Sequence, residues 1–148
     1  MNEVVVHDSN FRTWWFRLEN AVLKLIMRTG LKLGTTYILS VNGRKTGTVH
    51  STPVVIVETE GERYLVAPYG PVNWVRNARA AGIVTLTRGR HSEALHIVEV
   101  APEESAPILK RYVAIAPATR SCFHVKPDSP VQEYVAEAPQ HPVFRLVA

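Results

Sequence analysis

Two cations stand in a short, glycine-bounded segment that is expected to reverse the chain. Residues 42–47 read Asn-Gly-Arg-Lys-Thr-Gly. Asn-Gly tolerates the positive φ that a tight hairpin needs, and Gly47 offers a second such position. Backbone N–H groups in such a turn can form a concave anion site, to which Arg44 and Lys45 add full positive charges. The pattern predicts a small anionic ligand, while a solvated basic hairpin tip is an alternative that this segment leaves open.

Strands and short helices are expected to position this turn. Strands are predicted at 36–41, 48–58, 63–67, 83–87, 92–100 and 142–147, and helices at 10–28, 71–81 and 102–116. Pro53 cannot donate to a ladder, so it marks an edge, a bulge or a ligand-facing position, and Pro71 suits the first turn of its helix. Six strands with few helices predict a mainly β (α+β) fold, a small barrel with peripheral helices.

The whole chain, 1–148, is expected to be one domain, with an amphipathic helix within 1–30 and the barrel in 35–148. Apolar residues such as Trp14, Leu18 and Val22 recur at helical spacing through 10–28, interrupted by cations. A broad apolar stripe favours packing on the barrel or on a second subunit, which would make a homodimer. A basic amphipathic helix can also lie on a membrane surface, so a peripheral membrane contact through 10–28 stays open.

Composition limits the class of protein. The 148 residues are 46% hydrophobic and 20% charged, which is typical of one folded domain. The single cysteine, Cys122, excludes an intrachain disulfide, and the histidines show no metal-binding spacing, so no metal site is expected. The first residues carry acids where a cleaved leader would carry lysines, and no apolar run reaches the roughly 18 residues of a membrane span. We therefore expect a cytoplasmic protein.

Positive charge is concentrated in the first third of the chain. The net charge is +4, and residues 11–50 hold seven Lys or Arg against one acid, Glu19. Such a segment could meet nucleic acid, anionic lipid or an anionic cofactor. Because nothing resembles a nucleic-acid-binding module, we expect no nucleic-acid partner.

Two motifs occur in order along the chain. The first is Gly-Arg-Lys-Thr-Gly at 43–47 followed by Pro53, and the second is Ala-Pro-Tyr-Gly at 67–70 leading to Asn-Trp-Val-Arg-Asn-Ala-Arg-Ala at 73–80. From about residue 35 to 147 the sequence resembles the deazaflavin-dependent nitroreductases, which use reduced coenzyme F420. The resemblance implies a split β-barrel of the FMN-binding-like kind, with the cofactor in a groove.

The resemblance also implies roles for individual residues. Arg44 and Lys45 would hold the phosphate and acidic tail of F420, since arginine suits bidentate phosphate contacts and lysine acts as a point charge. The other implied cofactor contacts are Thr46, His50, Pro53, Val54, Val55, Ala67, Pro68, Tyr69, Trp74 and Asn77. His50 and Tyr69 stand where many relatives carry arginine and lysine. Trp74 could equally be a core residue, and Asn77 could simply bond a neighbouring carbonyl.

The implied chemistry is hydride transfer from reduced deazaflavin to a small hydrophobic electrophile, such as an enone, a quinone or a nitroaromatic. Tyr69 is the candidate catalytic proton donor, and Tyr112 is a second. Two alternatives stand beside this hypothesis. One is a split-barrel oxidoreductase that binds flavin mononucleotide (FMN) through the same cations. The other is a non-enzymatic, membrane-associated binder of lipid or fatty acid.

Overall fold

The structure, a computed structural model, describes residues 36–148, so the helix predicted at 10–28 lies outside the described residues. In chain order the elements are β1 (Thr36–Asn42), β2 (Val49–Thr59), β3 (Glu62–Val66), α1 (Asn73–Ala81), β4 (Ile83–Arg88), β5 (His91–Glu99), α2 (Pro102–Ile115), a 3₁₀ helix (Pro117–Cys122), α3 (Val131–Glu137), a second 3₁₀ helix (Ala138–Gln140) and β6 (Val143–Val147).

The six described strands close into one antiparallel barrel in the order β1-β2-β3-β6-β5-β4. In the first half of β2 the described ladder is with β1 alone, where Pro53 lies opposite Ile38. The ladder between β2 and β3 includes only the second half of β2, from Ile56 opposite Leu65. Pro53 therefore lies in an edge segment, one of the three predicted settings for it. The predicted mainly β barrel with peripheral helices is confirmed.

Within residues 36–148, alternation along the strands supplies two separate apolar cores. Ile56 and Leu65 point into the barrel, which they fill together with side chains from the other strands. Val57 and Val66, their chain neighbours, point outward and are covered by α2 and α3. Each fully buried side chain of this size contributes about 1.5–3 kcal/mol relative to exposure in water. The barrel core and the outer core together fix where the strand ends, and hence the turns, are placed.

The start of α1 differs from the prediction. Pro71 was expected in the first helical turn, but α1 begins at Asn73 with Val72 as its N-cap residue. The chain before it is folded into tight turns, since Gly70 N donates to Ala67 O (3.2 Å) and Val72 N donates to Gly70 O (2.8 Å). These turns delay the helix by two residues, and they define the loop 67–72 that leads into it.

Candidate functional site

The basic turn joins β1 to β2 and is closed by its own backbone. Gly43 N donates to Thr48 O (2.8 Å), and Gly47 N donates to Gly43 O (2.9 Å). Gly47 has a φ of 75°, as predicted, whereas the expectation of positive φ at Asn42-Gly43 is wrong. Glycine is needed at position 43 for a different reason. A Cβ there would lie 3.2 Å from both His50 Nε2 and Thr48 O, so any other residue would press on the histidine ring and on the turn backbone.

A side chain from α1 holds this turn in place. Asn77 Oδ1 accepts a hydrogen bond from the backbone N of Arg44 (3.1 Å) and another from its Nη1 (2.7 Å). Asn77 is 5% exposed and is anchored on α1, next to the buried Val75 and Ala78. Among residues 36–148, the described hydrogen bonds of the Asn77 side chain are with Arg44 and not with a neighbouring carbonyl. Its oxygen fixes both the backbone and the guanidinium of Arg44.

An open cleft of about 370 Å³ lies between the turn and α1. It is lined by Gly43, Arg44, Lys45, Thr46, His50, Asn73, Trp74 and Asn77. Six of the predicted cofactor-binding residues are thus brought together from segments far apart in the sequence. No carboxylate is among the described lining residues, so the fixed charges that residues 36–148 place on the cleft are all positive.

The donors around the cleft suit an anion. One N–H of the Arg44 guanidinium is used by Asn77, and the group has five such donors in total. Among residues 36–148, the backbone N–H groups of Lys45 and Thr46 have no acceptor. The Thr46 hydroxyl bonds Thr48 within the turn (3.1 Å). A turn with free N–H groups beside two cations is the chemistry of a phosphate or carboxylate site.

Trp74 lies between the barrel core and the cleft. Its half-buried ring lines the cleft, and it also packs against the barrel core, with its centroid 6.4 Å from that of Phe144. Core packing holds the indole in one orientation, so it forms a rigid wall of the cleft.

The remaining predicted site residues lie outside this cleft. They are Pro53, Val54, Val55, Ala67, Pro68 and Tyr69. They flank the place where β2 and β3 separate, because the ladder between these strands stops at Ile56 and Leu65. Val54 and Ala67 bury their side chains in the barrel, so only their backbone groups could face a ligand.

Tyr69 and Tyr112, the two candidate proton donors, occupy opposite environments. Tyr69 is 68% exposed on the loop between β3 and α1. Tyr112 is buried in the outer core, where its hydroxyl accepts a hydrogen bond from Thr119 (3.3 Å). Burial raises the pKa of Tyr112 to about 12. Tyr112 therefore packs in the outer core, and Tyr69 is the more accessible of the two hydroxyls.

A second open cleft, of about 500 Å³, lies beside α2. Its charged residues are balanced, with Glu60 and Glu104 against Lys110 and Arg111. The Nζ of Lys110 donates to Ser129 O (2.8 Å), which occupies one of its donors. This cleft suits an anion less well than the cleft at the basic turn, despite its larger size.

Within residues 36–148, no group of three or more His, Cys, Asp or Glu side chains is arranged to hold a metal ion. Over the same residues, no helix has the length and apolar character needed to cross a bilayer. The described lining of the cleft consists of cations, amides, a hydroxyl, a histidine and an aromatic ring.

Comparison with known families decides the cofactor. The model of the F420H(2)-dependent quinone reductase family matches residues 15–131. The chain belongs to this family. It is an oxidoreductase that depends on reduced F420, and the resemblance drawn from the two motifs is confirmed. F420 is thus favoured over FMN, and an enzyme over a lipid carrier. The comparison with curated proteins found no match.

Solved structures agree on the fold of this F420-dependent reductase. An F420-H2 dependent reductase (FDR-A) is 23% identical, with 76% of this chain and 93% of that chain covered at a TM-score of 0.52. A domain-swapped dimer is 22% identical, with 91% and 98% covered and a TM-score of 0.53. A putative pyridoxamine 5'-phosphate oxidase from Listeria innocua is 10% identical, with 88% and 92% covered and a TM-score of 0.51. These likenesses establish the split-barrel fold.

Proposed function

We propose that this F420-dependent reductase passes the hydride to a quinone, and that the cleft at the basic turn binds the anionic end of F420. One observation supports the site above all. Arg44 is fixed by Asn77 in a cleft that also presents Lys45 and His50 and whose described lining holds no carboxylate. An anion gains charge-assisted hydrogen bonds there without having to displace an acidic partner.

In this proposal each group of the cleft has a distinct task. The unused N–H groups of Arg44 bind a phosphate oxygen pair, because a guanidinium presents parallel donors. Lys45 is exposed at the tip of the turn and serves the acidic tail as a mobile point charge. Thr46 contributes its backbone N–H, and His50 covers Gly43 on the opposite wall.

The deazaflavin ring is proposed to lie where β2 and β3 separate. Backbone groups of Pro53, Val54 and Val55 would contact one side of it, and those of Ala67 and Pro68 the other. The loss of β2–β3 pairing at this point supports the proposal, since the edge of β2 that faces away from β1 can then contact a flat ring. Trp74 and Asn77 on α1 would then close the site between the ring and the anionic tail.

When bound, reduced F420 supplies the hydride. The protein's own residues position the acceptor and handle a proton. Tyr69 is the proposed donor of that proton to a quinone oxygen, since its hydroxyl lies on the exposed loop beside the proposed ring site. A small, hydrophobic, electron-poor quinone can approach this loop from solvent. Enones and nitroaromatics are further acceptors with the same requirement for a hydride at an electron-poor atom.

The wider organisation is also a proposal. The whole chain, 1–148, is proposed to be one domain and to assemble as a homodimer, which the domain-swapped neighbour supports. Contact with a membrane surface through 10–28 stays a prediction from the sequence. Sedimentation of the purified protein, alone and with anionic vesicles, tests both points.

A charge-matched comparison tests the function. Oxidised F420 is titrated into the wild type, into Arg44→Ala/Lys45→Ala, and into Arg90→Ala/Lys126→Ala, which removes the same charge at exposed positions outside the cleft. We expect the first double variant to lose about 2–4 kcal/mol of binding free energy and the second to bind like the wild type. Equal losses in both would assign the cations to general electrostatics. Oxidation of reduced F420 that depends on added menadione tests the quinone as acceptor.

A further inference from the structure

A buried acid–imidazole pair lies behind the loop that leads into α1. Glu137 ends α3, and His141 follows the second 3₁₀ helix. His141 Nε2 lies 2.8 Å from Glu137 Oε2, and the two residues are 3% and 5% exposed. On its other side, His141 Nδ1 lies 2.8 Å from the carbonyl oxygen of Pro68, and the ring stacks on Phe123 with centroids 4.0 Å apart. The imidazole thus joins α3 to the loop 67–72.

The hydrogen-bond partners of the His141 ring determine which of its two nitrogens carry a proton. The Pro68 carbonyl can only accept, so His141 Nδ1 must carry a hydrogen. A bare Nε2 facing a carboxylate at 2.8 Å would place two acceptors together, so a proton must also lie between these atoms. Burial disfavours the charge on Glu137, but hydrogen bonds from His141 and from the backbone N of His124 (3.1 Å) outweigh it and lower the pKa of the carboxyl. The contact is a buried hydrogen bond in which one proton lies between His141 Nε2 and Glu137 Oε2.

The loop is braced by the same segment at two further points. Ala67 N donates to Pro142 O (2.9 Å). Gly70 lies so close to Gln140 that a Cβ at position 70 would be 3.3 Å from the Gln140 carbonyl oxygen. Residues 137–142 therefore contact the loop at Ala67, Pro68 and Gly70.

The end of the loop determines where α1 begins. Gly70 O accepts from Val72 N (2.8 Å), and Val72 O accepts from Val75 N (3.0 Å), the first turn of α1. The same helix carries Trp74 and Asn77 into the cleft at the basic turn. A displacement at Pro68 would consequently be passed through the loop to the residue that holds Arg44.

We propose that Glu137 and His141 are a positioning pair for the F420 site: they fix the Pro68 carbonyl and, through the loop, the register of α1 against the basic turn. The proposal rests on the function proposed above for that cleft. It assigns a role in cofactor binding to two residues that do not line the cleft.

Three variants test it. His141→Phe keeps a ring against Phe123 but removes both hydrogen bonds, and Glu137→Gln keeps the shape but removes the charge. Tyr134→Phe is the matched control, because it removes a buried hydrogen bond to Lys126 O in the same core without touching the loop. We expect the first two to raise the Kd for oxidised F420, and the KM for reduced F420, by about tenfold. The control should bind F420 as the wild type does.

Amide hydrogen exchange separates this proposal from the proposed function. In His141→Phe, the amides of Gly70 and Val72 should exchange at least about tenfold faster than in Tyr134→Phe, whether or not F420 binds. Unchanged exchange, or equal weakening of F420 binding in the control, would overturn the positioning role. A wild type that fails to bind F420 while the exchange result holds would overturn the function of the cleft instead.

Discussion

The carboxamide oxygen of Asn77 accepts hydrogen bonds from both the backbone N and the Nη1 of Arg44, at 3.1 and 2.7 Å. The two residues are 33 positions apart in the sequence, and one lies in a turn between strands while the other lies on a helix. A single atom thus fixes the backbone of the basic turn and the direction of its guanidinium. The cleft that we assign to F420 depends on this contact.

Asn77 is therefore a sensitive point of the site. In Asn77→Ala the two Arg44 donors lose their acceptor, so we expect the free energy of unfolding to fall by about 1–2 kcal/mol and the Kd for F420 to rise about tenfold. Asn77→Asp keeps an acceptor but neutralises Arg44, so F420 binding should weaken without a loss of stability. Thermal melts and fluorescence titration measure the two effects.

Asn73→Ala serves as the control for these variants. Asn73 lines the same cleft from the first turn of α1, and no described residue bonds its side chain. We expect it to change F420 affinity by less than about threefold, since no buried donor is left without an acceptor. An equal loss in Asn73→Ala and Asn77→Ala would refute the special role of the Arg44 contact.

Two glycines of the turn should respond differently to alanine. At Gly43 a Cβ would press on His50 and on Thr48 O at 3.2 Å, so Gly43→Ala should displace the cleft wall and weaken F420 binding several-fold. At Gly47 nothing lies within 4 Å, but φ is 75°, so Gly47→Ala should cost about 1–2 kcal/mol of stability. Urea unfolding beside F420 titration separates the two. The prediction fails if Gly43→Ala binds F420 more tightly than Gly47→Ala does.

Much of this architecture could be predicted locally. Alternating apolar residues and turn glycines place the six strands to within one or two residues of where they lie, because each strand's pattern is set by its own pleat. The short helix α3 was missed, since its seven residues follow Pro130 in a segment with no clear periodicity. The basic turn was found, but its glycine chemistry was misjudged, because the need at Gly43 comes from His50 across the hairpin.

The contacts that build the site could not be predicted in this way. The residue types of Arg44 and Asn77 marked both as candidate site residues. Their contact with each other exists only once the closed barrel brings α1 beside the turn. The sequence shows no metal-binding spacing around His141 and gives no sign of its partners, Pro68 and Glu137, which follow from tertiary packing. Family resemblance supplied the cofactor, which no single residue pattern in the chain specifies.

Acid should remove the contribution of the Glu137–His141 pair to the free energy of unfolding. The pKa of Glu137 is lowered in the folded protein, so this carboxylate stabilises the fold above its unfolded pKa of about 4.3 and loses that contribution as pH falls through the lower folded value. At pH 7 we expect Glu137→Gln to be about 1–3 kcal/mol less stable than the wild type. Urea unfolding at several pH values should show this gap narrowing below about pH 4.3. A gap of constant size down to pH 3 would contradict the pairing.

Tyr69→Phe and Tyr112→Phe should differ in their effect on kcat. If Tyr69 donates the proton, Tyr69→Phe should lower kcat with menadione by about 10²-fold while the Kd for F420 stays unchanged. Tyr112 is buried with its pKa raised to about 12, so Tyr112→Phe should alter kcat by less than about twofold. Steady-state oxidation of reduced F420 measures both. A Tyr69→Phe enzyme with wild-type kcat would assign the proton to solvent.

A crystal structure of the protein with oxidised F420 tests the assignment of the cleft most directly. We expect a phosphate oxygen within about 3 Å of the Arg44 guanidinium, the acidic tail near Lys45, and the ring between Pro53–Val55 and Ala67–Pro68. An F420 molecule bound elsewhere, for example with its tail beside Lys110 and Arg111, and a basic turn that contacts only solvent would contradict it.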